Sequence, residues 1–228
     1  EINFDEVKKI SSFFNLKTNP FKNIDGKVNL KTNINFDLDN NLKVKNLFYS
    51  TGGNIDKLEV DMHEKRIIEK YLPLYKNNIS IKETNIEFTN SESKQSLQLI
   101  GLVKIGKDYD NFNLLQNYNF INKIYNISGK IDLKNSSINI PKINYKKDDE
   151  KKSYAEFNID FILNKYFKIK NLKFFSEKNE IYLTDIKLNN NFEIINLKNI
   201  RVKTFSNKIK MIEGERFIHL GQDISSTS

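Results

Sequence analysis

The chain has no cysteine and no tryptophan, and only 3 prolines and 8 glycines in 228 residues. Without cysteine there are no disulfides, no thiol nucleophile and no thiolate metal ligands. Histidine is nearly missing as well: His63 and His219 lie far apart, so a zinc site has few candidate ligands. No apolar run approaches the roughly 18 residues that a membrane-crossing helix needs. No phosphate-cradling glycine loop, nucleophile elbow or metalloprotease helix motif occurs. Asp25-Gly26-Lys27 opens a strand, where the glycine is a turn residue. Acid–base chemistry needs carboxylates in a cleft with displaced pKa values. The cluster Asp148-Asp149-Glu150 instead falls in the charged tip 146–152. The expectation is a protein that is not an enzyme and needs no cofactor or metal.

Arginine is scarce too, at Arg66, Arg201 and Arg216, although the formal net charge is +8. Recognition of phosphates and base edges favours the arginine fork. The lysines here alternate with Asp, Glu and Asn instead of forming one basic patch, which argues against a nucleic-acid partner. What is abundant is 17 Phe and 10 Tyr within a chain only 38% hydrophobic, with a mean hydropathy of -0.58. So polar an average, with too many aromatics for disorder, predicts a thin structure with much surface and little deep interior.

Period two dominates the chain. From 26 to 39, Val28, Leu30, Thr32, Ile34, Phe36 and Leu38 alternate with Lys27, Asn29, Lys31, Asn33, Asn35 and Asp37. Successive strand side chains point to opposite faces, so this is a long strand with one dry and one wet side. Asp39-Asn40-Asn41 forms a turn, 42–50 returns, and Gly52-Gly53 turns again into 54–62. Further strands are expected at 78–88, 96–106, 130–140, 154–163, 167–175, 180–188, 192–205 and 208–213. In 154–163 the apolar side carries Ala155, Phe157, Ile159, Phe161 and Leu163. Helical spacing appears at 4–15, with Phe4, Val7, Ile10 and Phe14; 64–76 reads as a short helix or irregular cap, and 108–126 as a helix or extended lid. The phrase GKVNLKTNINF at 26 returns as GKIDLKNSSINI at 129, and LKVKNLF at 42 returns as FKIKNLK at 167. The two separations differ, so one amphipathic strand unit is reused without a strict repeat period.

The expected fold is therefore mainly β. It is a long, twisted antiparallel sheet of roughly a dozen amphipathic strands, curled into an open groove or half-pipe, with one or two short amphipathic helices. Residues 1–228 form a single groove segment, and 214–228 a polar, frayed tail. Because the chain opens on Glu1, it reads as an internal segment of a longer one. Such a sheet has to cover its greasy side by folding over itself, with helices, or with a ligand. An acyl chain of ~16 carbons immersed on that side would gain on the order of 10 kcal/mol. The residues expected to line such a groove are Val28, Leu30, Ile34, Phe36, Leu38, Ile131, Leu133, Phe157, Ile159, Phe161 and Leu163. Each would serve equally well as ordinary sheet core.

Several segments, among them FDEVKKISSFFNLKTNPFKNIDGKVNLKT, NNLKVKNLFYSTGGNIDKLEVD, SGKIDLKNSSINIPKINYKK and FILNKYFKIKNLKFFSEKNEIYLTDIKLNNNFEI, resemble the central region of AsmA-like proteins of the YhdP type. The likeness runs from about residue 4 to about residue 205 and contains no catalytic motif; the region after Lys208 departs from it. It implies a repeating β-groove in the periplasm of a Gram-negative cell, held to the inner membrane by a segment outside this chain. It implies phospholipid acyl chains as cargo, moved between inner and outer membranes, with neighbouring groove segments of the same chain as partners. The alternative expectation is a structural or adhesin-like β-protein whose dry face is sealed by its own chain.

Overall fold

The computed structural model describes residues 2–3, 21–62, 66–140, 145–162, 166–177, 179–188 and 194–203. The helix expected at 4–15, the strand at 208–213 and the tail 214–228 lie outside them. The described residues form one 11-stranded antiparallel sheet that does not close into a barrel, with a separate two-stranded hairpin. The strands are β1 (Ile2–Asn3), β2 (Phe21–Leu38), β3 (Val44–Met62), β4 (Asn78–Asn90), β5 (Lys94–Lys104), β6 (Tyr109–Asn119) and β7 (Ile124–Asp132). The small hairpin β8 (Ile138–Ile140) and β9 (Tyr145–Lys147) leaves the sheet. β10 (Ser153–Ile162), β11 (Tyr166–Ser176), β12 (Asn179–Leu188) and β13 (Ile194–Lys203) then complete it. A six-residue helix, α1 (Arg66–Tyr71), sits in the β3–β4 connection. Each large-sheet strand pairs with its neighbour in sequence, except that β7 pairs with β10 across the excursion through β8 and β9.

Polar residues that bond their own backbone make the tight turns. The Asp39 carboxylate accepts from the Asn41 and Lys43 amides at 2.8 and 2.9 Å. The Asn119 side-chain oxygen accepts from the Ile121 and Asn122 amides at 2.9 and 3.1 Å. These turns, with that at 91–93, lie at one margin of the sheet. The two long connections, through α1 and through β8–β9, both lie at the other.

Four expectations are corrected. Gly26 is no turn residue: it lies inside β2 opposite Leu58, where a Cβ would meet the Lys57 carbonyl at 2.5 Å. Gly52-Gly53 is no turn: both lie inside the 19-residue β3, opposite Lys31 and Leu30 of β2. A Cβ on Gly53 would fall on the Asn29 carbonyl, so this glycine serves a close backbone approach. Residues 108–126 are neither helix nor lid; they supply β6, a turn and the start of β7. The apparent stripe of Phe112, Leu115 and Tyr118 splits over two faces, because Leu115 pairs with Gln98 and Ser128 in a row where polar residues predominate. Finally, 130–140 is not one strand. It breaks after Asp132, where the Asn135 amide donates to the Asp110 carboxylate at 3.1 Å and pulls the chain out of the sheet.

Strict alternation is interrupted where successive dry-side residues stand three apart, as at Ile55 and Leu58, Ile81 and Thr84, or Ile169 and Leu172. Left alone, each would turn the rest of its strand over. The pairing instead shifts at Lys27/Val28, Lys82/Asn85 and Asn158/Ile159, so the additional residue is absorbed as a β-bulge. Glu83, at the second of these, takes the left-handed φ of 47°. The next residue, Thr84, is fully buried, and a Cβ on Gly101 of β5 would meet the Thr84 Cα at 2.5 Å. Gly101→Ala should therefore lower stability by about 1–3 kcal/mol through overpacking. Gly52→Ala, whose added Cβ meets nothing closer than the Ile86 carbonyl at 3.9 Å, should be neutral or slightly stabilising. Urea unfolding midpoints of the two variants test the difference.

Candidate functional site: an uncovered apolar face

The registers assemble the strands' dry sides into continuous rows across the sheet. One row runs through Leu30, Gly53, Ile86 and Leu99, continues through Leu114, Gly129 and Phe157, and ends with Leu172, Leu183 and Ile200. The next row toward the tight turns includes Phe88, Leu97, Ile127, Ile159, Ile169 and Ile186. The outermost row contains a ladder of stacked rings. Tyr118 meets Tyr125 at 4.2 Å, Tyr125 meets Phe161 at 4.6 Å, and Phe161 meets Phe167 at 5.4 Å between ring centres. Offset ring pairs of this kind add about 0.5–1.5 kcal/mol each beyond the area they bury.

The opposite face is mainly polar and charged, although Phe48, Ile100, Leu102, Leu115 and the stacked pair Tyr154–Phe175 also lie on it. Lys130 pairs with Glu156 at 3.3 Å, Lys170 with Asp160 at 2.8 Å and Lys168 with Asp185 at 3.0 Å. Asn126 donates to Asn158 and Asp160 at 2.8 and 2.7 Å. Exposed ion pairs stabilise little; their role is to keep this side wet and so fix which way the sheet faces.

Among the described residues no second layer lies over most of the dry side. Among the described residues nine apolar side chains are buried, too few to core a sheet of this size. Leu30, Ile34, Phe36 and Leu38 are 47, 60, 52 and 53% exposed. Val28, Ile131, Phe157, Ile159 and Phe161 are half-buried on the same face. Leu163 lies outside the described residues. Alternation within 78–88 and 96–106 carried the same signal for Ile86, Phe88, Leu97 and Leu99, which the sequence reading did not select as lining.

Leu133 has a different fate. It is 8% exposed beneath the chain's own cover, in a core with Ile138, Phe174 and Ile181. The β8–β9 hairpin lies over this end of the sheet, with Tyr145 edge-on to Phe174 at 5.7 Å and Leu72 packed alongside. A lone two-stranded hairpin is marginal in water, so it depends on this seat. Lys147 fastens it. Although it belongs to the charged run 146–152, it is 1% exposed, and its ammonium donates to the carbonyls of Leu133 at 2.7 Å and Ser136 at 2.5 Å. Burial pushes the Lys147 pKa down, opposed by Asp110 and the neighbouring acids. Burial likewise raises the Asp110 carboxyl, opposed by the Asn135 amide. No sequence signal separates Lys147 from its solvated neighbours, because the carbonyls it satisfies come from another turn.

Among the described residues no three His, Cys, Asp or Glu side chains converge as a metal site would require. No helix there is long and apolar enough to cross a membrane, which leaves strand-based crossing unaddressed.

Three substitutions test this arrangement. Ile159→Asp, which puts a charge between Ile127 and Ile169, should cost about 2 kcal/mol or more. Lys31→Asp on the wet face should change the urea midpoint by less than about 0.5 kcal/mol equivalent. Lys147→Ala strands buried carbonyls, a loss of about 1–3 kcal/mol. It should speed amide exchange in 133–140 and 145–152 while β2–β5 stay protected; a uniform increase would show that Lys147 does not fasten the hairpin locally. In comparison with known proteins, no family model, no curated protein and no solved structure matches this chain.

Proposed function

We propose that this chain is a groove segment that shields lipid acyl chains, carrying phospholipid along its dry face between the inner and outer membranes of a Gram-negative envelope. The observation that supports this reading is the uncovered apolar face, continuous over ten strands and backed by a polar one. A contiguous apolar surface beyond several hundred square ångströms is a binding site or an aggregation liability in a soluble protein. Acyl chains suit a long, shallow, featureless strip better than a compact ligand does, since such a ligand calls for a concave pocket with a few placed polar groups. The periplasmic location, the inner-membrane anchor outside this chain and the neighbouring groove segments come from the family resemblance. The chain acts here as a carrier and not as a catalyst.

A structural or adhesin-like protein with a self-sealed face is the second reading, and the β8–β9 hairpin over Phe174 and Ile181 is the observation in its favour. One measurement separates the two. Organic extraction of the purified protein followed by mass spectrometry should return phospholipid in about molar amounts. A stable protein that carries no lipid, and takes up none from vesicles, would overturn the carrier reading.

A further inference from the structure

The two margins of the dry face differ in chemistry. At the margin of long connections, polar side chains are buried and engaged within the protein: the Asp110 carboxylate accepts from the Asn135 amide, Ser153 donates to the Lys151 carbonyl, and Ser176 bonds the Tyr145 hydroxyl. Asp110, Ser153 and Ser176 are 7, 6 and 2% exposed, and the β8–β9 hairpin stands over them as a wall fastened by Lys147. At the margin of tight turns, the outermost row of the dry face holds Tyr49, Asn90, Gln95, Tyr118 and Tyr125 on consecutive strands β3 to β7. These three are the only tyrosines that the described registers place on the dry face of the large sheet. The polar atoms of Asn90, Gln95, Tyr118 and Tyr125 form no side-chain hydrogen bond among the described residues. Between the margins, the rows are aliphatic and Phe-rich. Of the polar groups there, Thr84 bonds the Lys82 carbonyl and Thr32 lies 2.9 Å from Thr51, while Gln116 stands between Leu97 and Ile127 next to the border row.

Resting on the acyl-chain reading, we infer that the face orients its lipid, with the polar headgroup along the border of Tyr118, Tyr125, Gln95 and Asn90 and the tail running along the strands toward the wall at Leu133 and Ile138. Tyrosine suits this border because its ring is apolar and its hydroxyl is wet, the property that concentrates it at the edges of membranes. The dimensions agree. Six residue steps along β7 from Tyr125 to Ile131 span about 20 Å at ~3.4 Å each. One leaflet's share of a ~30 Å hydrocarbon core is about 15 Å. A tail of that length ends short of Leu133, where the hairpin closes the face. A head placed at the walled margin would have to displace the buried Lys147 and Asp110 contacts, whereas Asn90, Gln95, Tyr118 and Tyr125 of the border make no side-chain hydrogen bond among the described residues.

The test uses two phosphatidylethanolamine photoprobes on the purified chain, one with a diazirine on the headgroup and one with it at the tail terminus. After irradiation, crosslinked peptides are located by mass spectrometry. The headgroup probe should label 90–95 and 118–125 with a several-fold excess over 131–140 and 172–181, and the tail probe should show the reverse. Tyr118→Phe combined with Gln95→Leu keeps the bulk of the border but removes two polar tips, and should reduce the headgroup excess. An inverted or even distribution would overturn the orientation while leaving the carrier reading standing. Absence of labelling on the dry face by either probe would sink the carrier reading itself.

Discussion

Every strand of the large sheet has to keep its apolar side chains on the same side as its neighbours', and almost everything else in the structure follows from that constraint. A slip of one residue exchanges the two faces of a strand, and here the penalty would be a lysine in a row of isoleucines. The long strands β2 and β3 tolerate no net error over 18 and 19 residues, so wherever the sequence breaks step a bulge restores it. Close backbone approach accompanies this pairing, as at Gly53 against the Asn29 carbonyl and at Gly101 against Thr84. The ion pairs and amide contacts of the wet face reinforce the same choice of side.

A sheet of this kind meets the burial problem in a way that compact domains avoid. A sandwich supplies its own second layer, and a barrel folds its dry face inward. This chain does neither, and spends one short hairpin and the Leu72 region on covering part of one margin. The polar cost of that cover is met by Lys147, whose ammonium satisfies carbonyls that would otherwise be buried without partners. A buried lysine is costly unless its charge is engaged; here the carbonyls of Leu133 and Ser136, together with nearby Asp110, engage it. Among the described residues nothing covers the remainder of the face, and that exposure is the basis of the carrier proposal.

The polar border at the tight-turn margin also follows from local rules. Residues near hairpin turns tolerate Asn, Gln and Tyr because turn chemistry and solvent satisfy them, while dry-face positions midway along a strand are mostly apolar. Repeated over five strands, this ordinary tendency gives the dry face a graded edge: aliphatic in the middle, aromatic and polar at one side, walled at the other.

The sequence alone determined the class of structure, because alternation of apolar and polar residues has a single local solution, a one-sided strand, and it repeats too often to be accidental. Residues such as Leu30, Ile34, Phe157 and Ile159 were recognisable as members of one face for that reason. Turn chemistry at Asp39 was equally plain. What only the tertiary structure decided was where neighbouring strands override a local signal. Gly52-Gly53 reads as a turn until β2 and β4 are seen to pair through it, and 108–126 reads as helical until its partners impose period two. The fate of Leu133 and Lys147 depended on a hairpin folding back from residues a dozen positions away. Burial of that kind is set by contacts distant in the chain, and no local pattern encodes it.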